Sequence, residues 1–174
     1  MDNYEKAKHR GEELFLQYDQ EKMIRKFGLR FDDDFLYVDD FLRRDYRVNR
    51  ATGVFEWSVD GETWQEAAFN DAMTLYDILC FSEDDCHPSG EYSQVPNLVR
   101  VSGRNNMFAG QGIFKEMSEK WADRMDALDR ACRSMGGIPA AKGDLAYLIP
   151  MYQGLNILVR FYEADDEFPP CRIS

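Results

Sequence analysis

The stretch LAYLIPMYQGLNILVRFY, Leu145 to Tyr162, is the longest apolar run in the chain, and it separates two very different architectures. An unbroken run of about 20 apolar residues reads as a membrane-spanning helix. This run is interrupted by Pro150, Gln153, Gly154 and Asn156 and is rich in branched and aromatic residues. Both features predict two β-strands, LAYLI and LNILVRFYE, folded into a hairpin through Pro150 to Gly154.

Three earlier segments have the same strand character: FLYVDDF, DYRVN and GVFEWSV. In the last, Phe55, Trp57 and Val59 fall on one face, and Val54, Glu56 and Ser58 on the other. NRATG, ending in Gly53, reads as a short hairpin loop, and Asp60-Gly61 marks a second turn. Residues 3 to 25 read as helical, because Tyr4, Ala7, Gly11, Leu14, Phe15 and Tyr18 recur at helical spacing. Asp2 or Asn3 is available as N-cap, and Gly28 ends the region. A middle helix is expected from Asn70 to Phe81, with Phe69, Met73, Tyr76 and Cys80 on one stripe. Thr63 and Glu66 offer a capping box for an earlier start. One long helix is expected from Ile113 to Met135, with Phe114, Met117, Trp121, Leu128, Cys132 and Met135 as its apolar stripe and Gly136-Gly137 as its stop. LVRVSG before it reads as a short strand.

Helices and strands thus come in separated blocks without βαβ alternation. The expected fold is α+β: a mainly antiparallel sheet with an N-terminal helix, a middle helix and one long helix packed on it. A chain of 174 residues suits a single domain over 1–174, burying roughly 70% of its unfolded surface without needing a disulfide or metal.

The net charge is −11 with a pI near 4.6, and no run of Lys and Arg exceeds two. Such a chain is repelled by duplexes and anionic membranes, so neither is expected as a partner. The N-terminal MDNYEKAKHRGEELF is charged and lacks an apolar core, so no signal peptide is read there. A cytoplasmic location is expected, where four cysteines are not two structural disulfides.

The cysteine-rich stretch CFSEDDCHPSG, residues 80–90, lacks the second ligand pair that a structural zinc site requires. Cys80 reads as a small packed hydrophobe and EDDCHPSG as a solvated loop, while Asp84 and Asp85 work against a reactive Cys86. Cys86 and His87 are chain neighbours, a poor placement for a nucleophile and its base. The acidic run Asp32-Asp33-Asp34 lacks the alternation of a calcium loop. No metal, cofactor or catalytic residue is assigned. The loop SGRNNMFAGQGIFK has more to offer: glycines precede a helix N-terminus, where backbone N–H groups and the dipole favour an anion. Arg104, Asn105, Gly110, Gly112 and Lys115 are the candidate ligand contacts. Its glycines do not match the dinucleotide fingerprint.

FLRRDYRVNRATGVF followed by TLYDILCFSEDDCHPSGEY resembles the middle of an uncharacterised bacterial family, domain of unknown function 3786. GDLAYLIPMYQGLNILVRFYEADDEFPP resembles that family's C-terminal signature, an apolar hairpin followed by an acidic run and Phe-Pro. The resemblance implies a small cytoplasmic protein from an anaerobe, with no known activity, substrate or catalytic residue. Some relatives are joined to iron–sulfur domains, a hint of redox or corrinoid-linked metabolism, but this chain has no cluster-binding cysteine run. Family members continue past Phe-Pro with a further strand and helix, which puts the edge at Ser174 in question. Asp166 and Glu167, within that signature, read as a turn, or in the sharper account as an acidic site.

The functional expectation is a non-enzymatic binding or accessory module for a small anionic ligand or a partner protein. Two alternatives stand beside it: a carboxylate-dependent enzyme using Asp166 and Glu167, and an assembly protein acting through a sheet edge, which includes a homo-oligomer.

Overall fold

A computed structural model describes residues 3–93, 112–164 and 172–173, with side chains for 3–93 and 116–164. Its strands form two antiparallel sheets; in chain order two of the described helices precede the first strand block and three lie between the two blocks, an α+β fold. The chain divides into two compact units, Met1–His87 and Pro88–Ser174.

The N-terminal unit contains helices α1 (Asn3–Phe15) and α2 (Gln20–Phe27). Five strands follow, β1 (Arg30–Phe31), β2 (Phe35–Phe41), β3 (Arg44–Asn49), β4 (Phe55–Ser58) and β5 (Gln65–Glu66), and then α3 (Phe69–Phe81). The strands pair in chain order, each antiparallel to the next. Alternation assigns the faces. Leu36, Val38, Tyr46, Val48 and Phe55 are buried on one side. Phe15 of α1 and Tyr76 of α3 pack there, with ring centroids 6.3 and 5.0 Å from that of Phe55.

Gly53 fixes how this layer closes. Its φ is +75°, and an added Cβ would sit 2.6 Å from the Glu12 carbonyl oxygen. Only glycine fits both the backbone turn and the contact with α1. The Tyr76 hydroxyl donates to the Gly53 carbonyl at 2.7 Å, tying α3 to the same loop.

Two expectations change here. The N-terminal helical region is two helices, because Asp19 caps a fresh start by accepting from the Lys22 N–H at 3.0 Å. Gly28 (φ +61°) ends the second. The Thr63–Glu66 capping box does not form. Asp60 instead accepts from the Glu62 and Thr63 N–H groups at 2.9 and 2.8 Å. Those bonds hold its carboxyl far below the usual carboxylate range. Gln65 and Glu66 pair with β4, Glu66 meets Lys8, and α3 begins at Phe69.

The C-terminal unit contains α4 (Gly112–Trp121), α5 (Met125–Ser134), β6 (Ile138–Pro139), β7 (Leu145–Tyr152), β8 (Leu155–Tyr162) and β9 (Arg172–Ile173). Its sheet order is β6-β7-β8-β9. The expected long helix is broken after Trp121, where the Arg124 N–H turns back to the Trp121 carbonyl at 3.0 Å. The break lets Trp121, Ala122 and Met125 all pack against one buried cluster: Leu128, Cys132, Tyr147, Ile149 and Phe161. The hairpin forms, but β7 runs on past Pro150 to Tyr152, with a register irregularity after Pro150. Proline is tolerated at such a bulge. The turn is then only Gln153-Gly154, both at positive φ (45° and 84°), the two-residue hairpin geometry.

Candidate functional site

The face of the N-terminal sheet opposite Phe15 and Tyr76 carries its most organised chemistry. Register places Arg30 across from Tyr37, Tyr37 across from Arg47, Arg47 across from Glu56, and Glu56 across from Glu66. Phe35 and Asp39 flank Tyr37 on the same face of β2, and Trp64 enters from the start of β5. The Arg47 guanidinium lies between two rings, 4.0 Å from the Phe35 centroid and 4.3 Å from that of Trp64. Its Nε donates to Glu56 at 2.6 Å. The Arg30 guanidinium covers the Tyr37 ring at 3.8 Å and reaches Asp39 at 2.9 Å.

At one end of this face, the β1–β2 turn presents Asp32-Asp33-Asp34. The Tyr37 hydroxyl donates to Asp32 at 2.7 Å, and the N–H groups of Phe35 and Asp34 add bonds at 2.8 and 2.9 Å. These donors, the Tyr37 hydroxyl first, lower the Asp32 pKa; the same bond raises that of Tyr37. Asp33, Asp34 and Glu62 are exposed, and among the described residues no ion pair reaches them.

A second feature of this unit is a cleft of about 110 Å³ between α2 and the end of α3. Met23, Leu79 and Cys80 form its apolar part. Lys22 pairs with Asp84 at 2.7 Å across the rim, and Lys26 donates to the Ser82 carbonyl. It has room for about three or four water molecules.

Of the residues singled out in the sequence, Arg104, Asn105, Gly110, Asp166 and Glu167 lie outside the described residues. Gly112 and Lys115 fall in the first turn of α4. Cys80 is half-buried, and burial, with Asp77 adding to it, pushes its thiol up to about 11, as suits packing. Cys86 and His87 are exposed, and the His87 ring bonds the Asp85 carbonyl at 2.8 Å. Among the described residues no three His, Cys, Asp or Glu side chains converge as metal ligands, and no helix is long and apolar enough to cross a membrane. The Arg–aromatic face was missed. Its signal lay in the alternation of FLYVDDF and DYRVN, which puts Tyr37 and Arg47 on one side once the Leu42-Arg43 turn sets the register.

These units make an α+β protein with a stacked guanidinium–aromatic ladder on one sheet. Over residues 19–172 the chain matches the family model described as Domain of unknown function (DUF3786), and it belongs to that family. The match takes in parts of both units. Among curated proteins and solved structures, nothing matches the chain.

Proposed function

We propose that this protein is a binding module whose N-terminal unit recruits a partner protein through a basic segment. The observation that carries this reading is the division of charge. Met1–His87 holds 21 Asp and Glu against 11 Lys and Arg, whereas Pro88–Ser174 holds 11 against 10. Nearly all of the net charge of −11 therefore belongs to one compact unit. A field of one sign over one surface concentrates and steers oppositely charged partners. Free thiols at Cys80, Cys86 and Cys132 support placing this activity in the reducing cytoplasm.

The test is fluorescence anisotropy of the full chain with a labelled cationic peptide, over a range of salt. Saturable binding that weakens with salt, and weakens several-fold in Asp33→Asn/Asp34→Asn, is expected. No binding at low ionic strength overturns the reading.

The small-anion reading keeps one supporting observation. Helix α4 opens at Gly112, so Gly112 and Lys115 occupy its first turn, in a unit whose charges nearly balance. Inorganic phosphate that raises Tm in the wild type but not in Lys115→Ala is the result this reading requires.

A further inference from the structure

We infer that the docking surface of the N-terminal unit is the sheet face opposite Phe15 and Tyr76, and that this face selects arginine over lysine in an extended segment of the partner. This rests on the reading above and names its site and its ligand chemistry.

The face is already built for guanidinium groups. It holds Arg47 between Phe35 and Trp64 and lays Arg30 on Tyr37. A guanidinium is planar and weakly hydrated, so it stacks on a ring while its edge still meets a carboxylate; an ammonium is a compact, strongly hydrated charge without a stacking face. Both internal arginines also have carboxylates, Glu56 and Asp39, so their charge is matched. The exposed carboxylates Asp33, Asp34 and Glu62 add further negative charge to the unit and are available to an incoming cation.

Spacing agrees with an extended occupant. The Tyr37 and Trp64 centroids are 6.2 Å apart, and those of Phe35 and Tyr37 6.3 Å. Alternate side chains of an extended chain recur every ~6.6 Å, so two same-side arginines match either ring pair. Phe35 and Trp64 both flank Arg47, so the three rings form a triangle around it, not a row. The charge excludes the opposite occupant, since an acidic segment would add carboxylates to a unit that already has an excess.

The experiment compares nona-arginine with nona-lysine, equal in charge, binding to the full chain at about 150 mM salt. Nona-arginine is expected to bind about ten-fold more tightly. Trp64→Ala should remove that preference, leaving the weaker, salt-sensitive binding common to both peptides. Asp33→Asn/Asp34→Asn should weaken both peptides alike, which keeps the test readable if Trp64→Ala lowers Tm. Equal affinity for the two peptides in the wild type overturns this inference and leaves the charge-based reading standing; binding of neither overturns both. A dimer in sedimentation that Trp64→Ala dissolves assigns the face to a second copy and also overturns the inference.

Discussion

The covered face of the N-terminal sheet meets its helices through rings: Phe15, Phe55 and Tyr76 pack edge-on or tilted with centroids 5.0 to 6.4 Å apart. In the C-terminal unit the covering layer is softer. Around Leu128, Cys132, Tyr147, Ile149 and Phe161 lie Met117, Met125 and Met135. Rings have few good mutual orientations, whereas methionine, unbranched and polarizable, fills whatever gap is left. The first unit is therefore a shape-specific core beneath a highly charged exterior. The second is an adaptable core with nearly balanced charge.

The sharpest way to break this comparison is to delete one ring from each core. Phe55 and Phe161 are both fully buried. Phe→Ala in a core costs about 3–5 kcal/mol. Phe55→Ala should fall at the upper end, because Phe15 and Tyr76 cannot close the void. Phe161→Ala should fall at the lower end, because the methionines can relax. Denaturant midpoints give the totals, and hydrogen exchange should show protection lost within residues 3–87 for the first and within 125–162 for the second. Equal losses would mean the two cores are equally rigid.

A smaller effect separates the hairpin turns. In the C-terminal unit the second turn residue is Gly154. In the N-terminal unit the turn between β2 and β3 is Leu42-Arg43, with φ of 50° and 66°, a conformation that disfavours both side chains. Leu42→Asn/Arg43→Gly supplies the residues this turn prefers and should stabilise the protein by about 1 kcal/mol, read as a higher Tm. A loss of stability would show that Leu42 packing outweighs the backbone strain.

The smallest effect is electrostatic. On α1, the His9 ring contacts Glu12 at 2.9 Å and Glu13 at 3.5 Å. The Glu12 bond first, then Glu13, raises the His9 pKa above 6.5. A raised folded-state pKa stabilises fully below the unfolded value and is lost as pH rises through the folded one. Melting curves from pH 6 to 8.5 should therefore show a small fall in the wild type that is absent in His9→Gln. The same fall in His9→Gln would assign it to another group.

Short-range patterns determined a good deal. Alternation in FLYVDDF, DYRVN and GVFEWSV marks strands wherever one face is buried, and the interruptions within Leu145–Tyr162 turn an apolar run into a hairpin. Blocks without βαβ order point to antiparallel sheets. Cys80 is legible as packing because its stripe is. Tertiary structure decided what local pattern cannot carry. The break after Trp121 has neither glycine nor proline to announce it; it arises because residues on both sides of it pack on one core. Glu66 has the spacing of a cap, yet Lys8, 58 residues away, and the β4 edge claim it. The Arg47 clamp joins Phe35, Glu56 and Trp64 from three strand regions, and only strand register brings them together. Sequence fixes which residues want burial and how often they recur; which side chains then meet depends on long-range pairing, whose energy comes from contacts between residues far apart in the chain.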